Sequence, residues 1–152
     1  MASDLLESEA RMTDEAYKAK RVLKDYRQLD KRISEMNERI GSLMDRATRA
    51  TASMEAERVS GTGARSNVET AVVTKLQLEE QLDAMIDDLN ERRRMIQDAI
   101  HAMADEREKR LLELRYIDGR SWVSVTMRME ISEAYSYVIH ESALNHFAEL
   151  YF

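Results

Sequence analysis

A chain of 152 residues with no proline, four glycines and 34% charged residues is rich in helix formers throughout, which excludes a sheet-based fold. With no cysteine it has no disulfide, no thiolate nucleophile and no cysteine-based zinc site. The formal net charge of −6 argues against strong nucleic-acid affinity by the chain alone, because a free-standing binder is basic over its contact face.

The opening eighteen residues lack the apolar core of a signal peptide, and no run approaches the roughly twenty apolar residues of a membrane span. The expectation is a protein without membrane contact, in the cytoplasm of a bacterial host. Thr13 is placed to cap the first helix, with Asp14 and Glu15 in the turn where the helix dipole favours acid. From Tyr26 a heptad seam runs through Leu29, Ile33, Met36, Ile40, Leu43, Ala47, Ala50 and Met54 in steps of three and four. Around "VSGTGARSN" the pattern stops, so residues 59–65 are expected to bend, with Ser66 and Glu69 forming a capping box for the next helix. That helix carries Val72, Leu76, Leu82, Met85, Ile86, Leu89, Ile96, Ile100 and Met103 on one broad face. Two such helices cover each other's apolar stripes by folding into an antiparallel hairpin, and the same seam could pair two chains as a homodimer.

Asp105 and Glu108 make another capping box, and Asp118-Gly119 ends the short helix they open. Ser121 then caps a helix that turns Trp122, Val125 and Met129 inward, and Ser132 caps the last one, with Tyr135, Val138, Ile139, Leu144 and Phe147 as its stripe. The expected architecture is all-α: residues 1–104 a helical hairpin or coiled-coil arm, residues 105–152 three short helices with a tight turn between the last two, a helix-turn-helix.

The tail resembles region four of bacterial sigma factors, the helix-turn-helix that reads the −35 promoter element. The matching residues are "LRY" at 114–116, Gly119, Ser121, Trp122, Val125, Met129, Ile131-Ser132 and Ala143-Leu144. With "YRQLDKRISEM", "KLQLEEQLDAMIDDL" and "LLELRYIDGRSW", most of the chain is similar to phage-encoded transcriptional regulators of the ArpU and RinA type. That resemblance implies a promoter-DNA contact assisted by RNA polymerase. The chain departs from the pattern in three places. The last helix holds no Lys or Arg, Glu130 stands where the turn usually has glycine, and Val123 and Ser124 replace the acidic pair that opens the middle helix.

On this reading the groove-facing candidates are Ser132, Glu133, Ser136, Tyr137 and His140, with Ser121 beside them and Arg120 and Arg128 on phosphates. With only three arginines against six carboxylates from Glu113 onward, double-stranded DNA is expected to bind weakly and salt-sensitively. Val123 and Met127, one turn apart on the outer side of the middle helix, are the candidates for a protein contact, RNA polymerase being the partner the resemblance implies. A small DNA-packaging (terminase) subunit shares this combination of elements, and so does an interaction module that has lost DNA binding. The gene-regulation reading as a whole requires the last helix to offer Tyr137 and His140 outward, and burial of these two would overturn it. No catalytic constellation, metal set or cofactor loop is legible: the carboxylates scatter around helix surfaces, and "SGTG" lacks the lysine of a phosphate-binding loop.

Overall fold

The structure, a computed structural model, describes residues 12–56 and 62–152. Among the described residues it is all-α: α1 (Asp14–Ala56), α2 (Thr62–His101), α3 (Glu106–Leu112), a π-helical turn (Glu113–Ile117), α4 (Trp122–Met129) and α5 (Glu133–Tyr151). None of these helices is long and apolar enough to cross a membrane.

The helix starts obey local chemistry. The Thr13 hydroxyl accepts from the Ala16 N–H at 3.1 Å, and Asp105 accepts from the Arg107 and Glu108 amides. Ser121 caps α4 through the Ser124 amide and Ser132 caps α5 through the Tyr135 amide. The expected restart at Ser66 is corrected: α2 has begun by Thr62, so Ser66 lies within the helix. Of the expected bend, residues 59–61 fall outside the described residues and residues 62–65 lie within α2, which corrects that part of the expectation; the side chains of Ala50 and Met54 also fall outside the described residues.

The chain packs as two units that cut across the long helices, rather than at residue 105. In Leu29–Leu89, Leu29 and Ile33 of α1 meet Leu82 of α2, flanked by Met36, Ile40, Met85, Ile86 and Leu89. Only residues 57–61 separate the two helices, so helices that pack side by side here run antiparallel. Val72 and Leu76, expected on the seam, are 48% and 54% exposed, and Leu78 is buried in their stead. The stripe rotates because 3.6 residues per turn drifts against a fixed spacing.

The other unit joins Met1–Gln28, as far as it is described, to Asn90–Phe152. Its core takes Ala16, Ala19, Leu23 and Tyr26 from α1, Ile96 and Ile100 from α2, Leu111 and Leu112 from α3, and Leu144 and Phe147 from α5, all essentially inaccessible. Burying each of the larger apolar side chains contributes about 1.5–3 kcal/mol. The heptad thus runs three steps further back than Tyr26, and those steps hold α1 to the tail. Thr13 reaches across to α5, its hydroxyl donating to Asn145 Oδ1 at 3.0 Å.

Candidate functional site

Sequence dictates the shape of the tail turn by turn. After Leu112 the chain widens into a π turn in which the Asp118 N–H reaches back five residues to the Glu113 carbonyl at 2.8 Å. The extra residue brings neighbours Arg115 and Tyr116 onto one wall, and such turns recur at functional sites. Gly119 at φ +69 reverses the chain, and the Arg27 guanidinium lies against it so closely that any Cβ would meet Nη2 at 2.1 Å.

The turn from α4 to α5 is a Schellman motif: the Glu130 N–H bonds the Met127 carbonyl and the Ile131 N–H bonds the Thr126 carbonyl at 3.1 Å. Glu130 occupies the left-handed position (φ 55), which glycine fills most easily.

Tyr137 and His140 lie inside. They are 8% and 7% exposed, and Ser136 is fully buried with its hydroxyl donating to the Glu133 carbonyl. The expectation that these three face a groove is corrected. The Tyr137 hydroxyl donates to Glu133 Oε1 at 2.9 Å, which also turns that carboxylate away from reading bases. His140 stacks on Tyr116 (5.8 Å between centroids) and shares a 2.8 Å hydrogen bond with its hydroxyl, and its ring meets Trp122 edge-on at 4.7 Å. Burial first, then Lys20, Arg115 and Lys24, push the His140 pKa down to about 3, and burial lifts Tyr116 to about 12. Both groups are therefore neutral at any ordinary pH.

The remaining candidates fare differently. Ser121 and Ser132 are exposed, but their hydroxyls are engaged as helix caps. Arg120 is half-buried, its carbonyl accepting from Arg115 Nη1 at 2.8 Å. Arg128 is exposed on α4. What α5 does expose near its start is Ala134, Tyr135 and Val138. The Tyr135 hydroxyl already accepts from Arg107 Nη1 at 2.7 Å, so this face offers almost nothing to a base-edge donor and acceptor code. Tyr135 and Val138 were expected in the core and are 40% and 53% exposed instead. Val123 and Met127 stand out as expected, 69% and 74% exposed, beside a shallow apolar depression that Ser121, Ser124 and Arg128 complete.

Two features were missed by sequence reasoning. The first is a set of four cations, Lys20, Lys24 and Arg27 from α1 and Arg115 from the π turn, around a cavity of about 570 Å³ that Trp122, Tyr137 and His140 also line. Its signal was present as the basic spacing 20, 24, 27 on one helical stripe. The second is Glu108, only 5% exposed, which accepts from the Ser142 hydroxyl at 2.5 Å and holds His146 Nδ1 at 2.7 Å. The carboxylate stands between serine and histidine, so the imidazole has no contact through which to deprotonate the hydroxyl. The set fastens α3 to α5. No group of three or more metal-ligating side chains converges among the described residues.

No curated protein and no solved structure gives a significant match to the chain. A family model described as "Protein of unknown function (DUF722)" matches residues 15–149, nearly the whole chain. That span takes in α1, the cationic cavity and all but the last residues of α5, and the chain belongs to this DUF722 family.

Proposed function

We propose that this chain is a protein-interaction module on a helix-turn-helix scaffold that has lost DNA binding, with RNA polymerase as the partner it contacts. The observation that carries the reading is the inversion of α5 and α4. The side chains that would read DNA, Tyr137 and His140, are inside, while Val123 and Met127 are among the most exposed large apolar residues of the described chain. An apolar pair one turn apart, next to a single arginine, suits a contact with an apolar protein surface bearing an acidic rim. The sigma-like residues at 114–144 point to polymerase as that surface. The absence of Lys and Arg from α5 fits the same reading, since duplex affinity depends on phosphate neutralisation.

In vitro transcription with purified bacterial RNA polymerase tests it. The wild-type chain is expected to change promoter output, V123S/M127S to lose that effect, and Y135A/V138S on α5 to retain it. Loss of activity in Y135A/V138S with V123S/M127S unaffected would return the function to α5 and its DNA-facing role. Pairing of two chains through the coiled coil would use Val72, Val73 and Leu76, which α2 leaves outward, and sedimentation of V72S/V73S/L76S against wild type reads it directly.

A further inference from the structure

In the unit Leu29–Leu89 the seam decides what each face of the helical hairpin carries. Antiparallel helices turn the residues just before their seam positions to one face and those just after them to the other. On α1 the residues before Ile40, Ala47 and Ala50 are Arg39, Arg46 and Arg49, all exposed. On α2 the residues before Lys75, Leu78 and Leu82 are Thr74, Gln77 and Gln81, none of them charged. Glu69, Glu79 and Asp83 follow seam positions and so fall on the opposite face, with Met44, Val72 and Leu76. Glu38 and Asp45 lie on the outer side of α1, away from α2.

The hairpin is thus basic on one face and acidic on the other, in a chain whose net charge is −6. Among the described residues the three arginines have no ion-pair partner; the nearest carboxylate before them on that face, Glu35, is paired with Lys31. Like charges one turn apart, as at Arg46 and Arg49, oppose helix formation slightly, so nothing within the hairpin accounts for them. The make-up of the face selects the class of partner. A protein interface needs an apolar centre, yet none of the exposed large apolar residues of the hairpin lies here. Interfaces with nucleic-acid backbones are polar and positively charged, and take Arg, Gln and Thr onto phosphate and sugar oxygens.

We propose that this face of the hairpin binds the phosphate backbone of duplex DNA without reading its sequence, Arg39, Arg46 and Arg49 neutralising phosphates while Thr74, Gln77 and Gln81 supply neutral hydrogen bonds. From Arg39 to Arg49 the helix rises about 15 Å, roughly four base steps of a duplex. A guanidinium matches phosphate oxygens with two parallel hydrogen bonds, which suits arginine to each of these positions. With three phosphates neutralised the affinity is weak and salt-sensitive, in keeping with the acidic chain as a whole. The contact belongs to the hairpin and not to the helix-turn-helix, so it rests on no polymerase reading.

The full chain is titrated into short fluorescently labelled duplexes of two unrelated sequences, and anisotropy is followed over a series of salt concentrations. Both duplexes should bind alike, with an affinity that falls as salt rises. R39Q/R46Q/R49Q should weaken binding by about tenfold or more at low salt and flatten the logarithmic salt dependence by roughly 0.9 for each arginine removed. R39K/R46K/R49K keeps the charge and should keep the salt dependence, which a merely structural role for the arginines would not predict. R94Q, which removes an exposed α2 cation already paired with Glu91 and Asp98, should bind like wild type, as should V123S/M127S. Circular dichroism checks that each variant is folded, and the lysine variant decides the matter if the glutamine one is not. Polyglutamate of matched charge is titrated in parallel. Binding of polyglutamate without binding of duplex would assign the face to an acidic protein and overturn the proposal. So would the absence of salt-dependent duplex binding by wild type, or duplex binding undiminished in R39Q/R46Q/R49Q.

Discussion

Glu130 spends its place in the fold at φ 55, ψ 45, the αL conformation in which a Cβ crowds the following carbonyl. The Schellman hydrogen bonds around it hold that geometry, so the turn persists with a residue that resists it. Glu130→Gly is expected to raise stability by about 1 kcal/mol, the relief of strain being partly offset by the greater freedom of glycine in the unfolded chain. Thermal or urea denaturation measures it, and an unchanged or lowered midpoint would mean the strain is absent. His140 gives a second prediction. The unfolded imidazole protonates near its ordinary 6.5 and the folded one only near 3, so between those values the unfolded state binds more protons. The contribution of His140 is complete above about 6.5 and declines as pH falls toward 3. His146 has the opposite sign: its hydrogen bond to Glu108 raises its pKa, so its contribution is complete below the ordinary value and is lost as pH rises through the raised one. Urea midpoints followed from pH 7 downward should fall for wild type and flatten in H140Q, which keeps a partner for the Tyr116 hydroxyl. Equal slopes would contradict the burial of a neutral imidazole.

Element by element, the parts of the fold legible in the sequence are those that local chemistry decides. Thr13, Asp105, Ser121 and Ser132 cap the helices that their neighbours predict, because a cap depends on amides two or three residues away. Ser132→Ala should accordingly cost about 1 kcal/mol in a denaturation experiment, where a cost near zero would show that tertiary packing alone fixes the start of α5. The orientation of α5 was not legible. Both of its faces carry apolar and aromatic residues, so periodicity cannot say which one turns inward. The decision comes from α1, whose Ala16, Ala19 and Leu23 lie in the tail's core and whose Lys20 and Lys24 share a cavity with Tyr137 and His140. Contacts separated by more than a hundred residues leave no trace in a local pattern. Leu144→Ala, at a fully buried position, should cost about 2–5 kcal/mol, whereas Val138→Ala, on the exposed face, should stay within about 0.5 kcal/mol. The reverse order would restore the sequence-based register.

Across the whole molecule, residues remote in the chain are brought together to complete the tail. Asp105–Phe152 reads as a self-sufficient trihelical segment, yet its unit also takes in the start of α1 and the end of α2. Lys20, Lys24 and Arg27 of α1 line one cavity with Tyr137 and His140 of α5. The surface proposed for recognition is the apolar one on α4, where Val123 and Met127 are exposed, and RNA polymerase is the partner proposed for it. Equilibrium titration of the labelled chain with purified bacterial RNA polymerase, without DNA, bears on that claim most directly. The account predicts saturable binding by wild type, lost in V123S/M127S and retained in H140Q. Failure of the wild-type chain to bind, or undiminished binding by V123S/M127S, would contradict it.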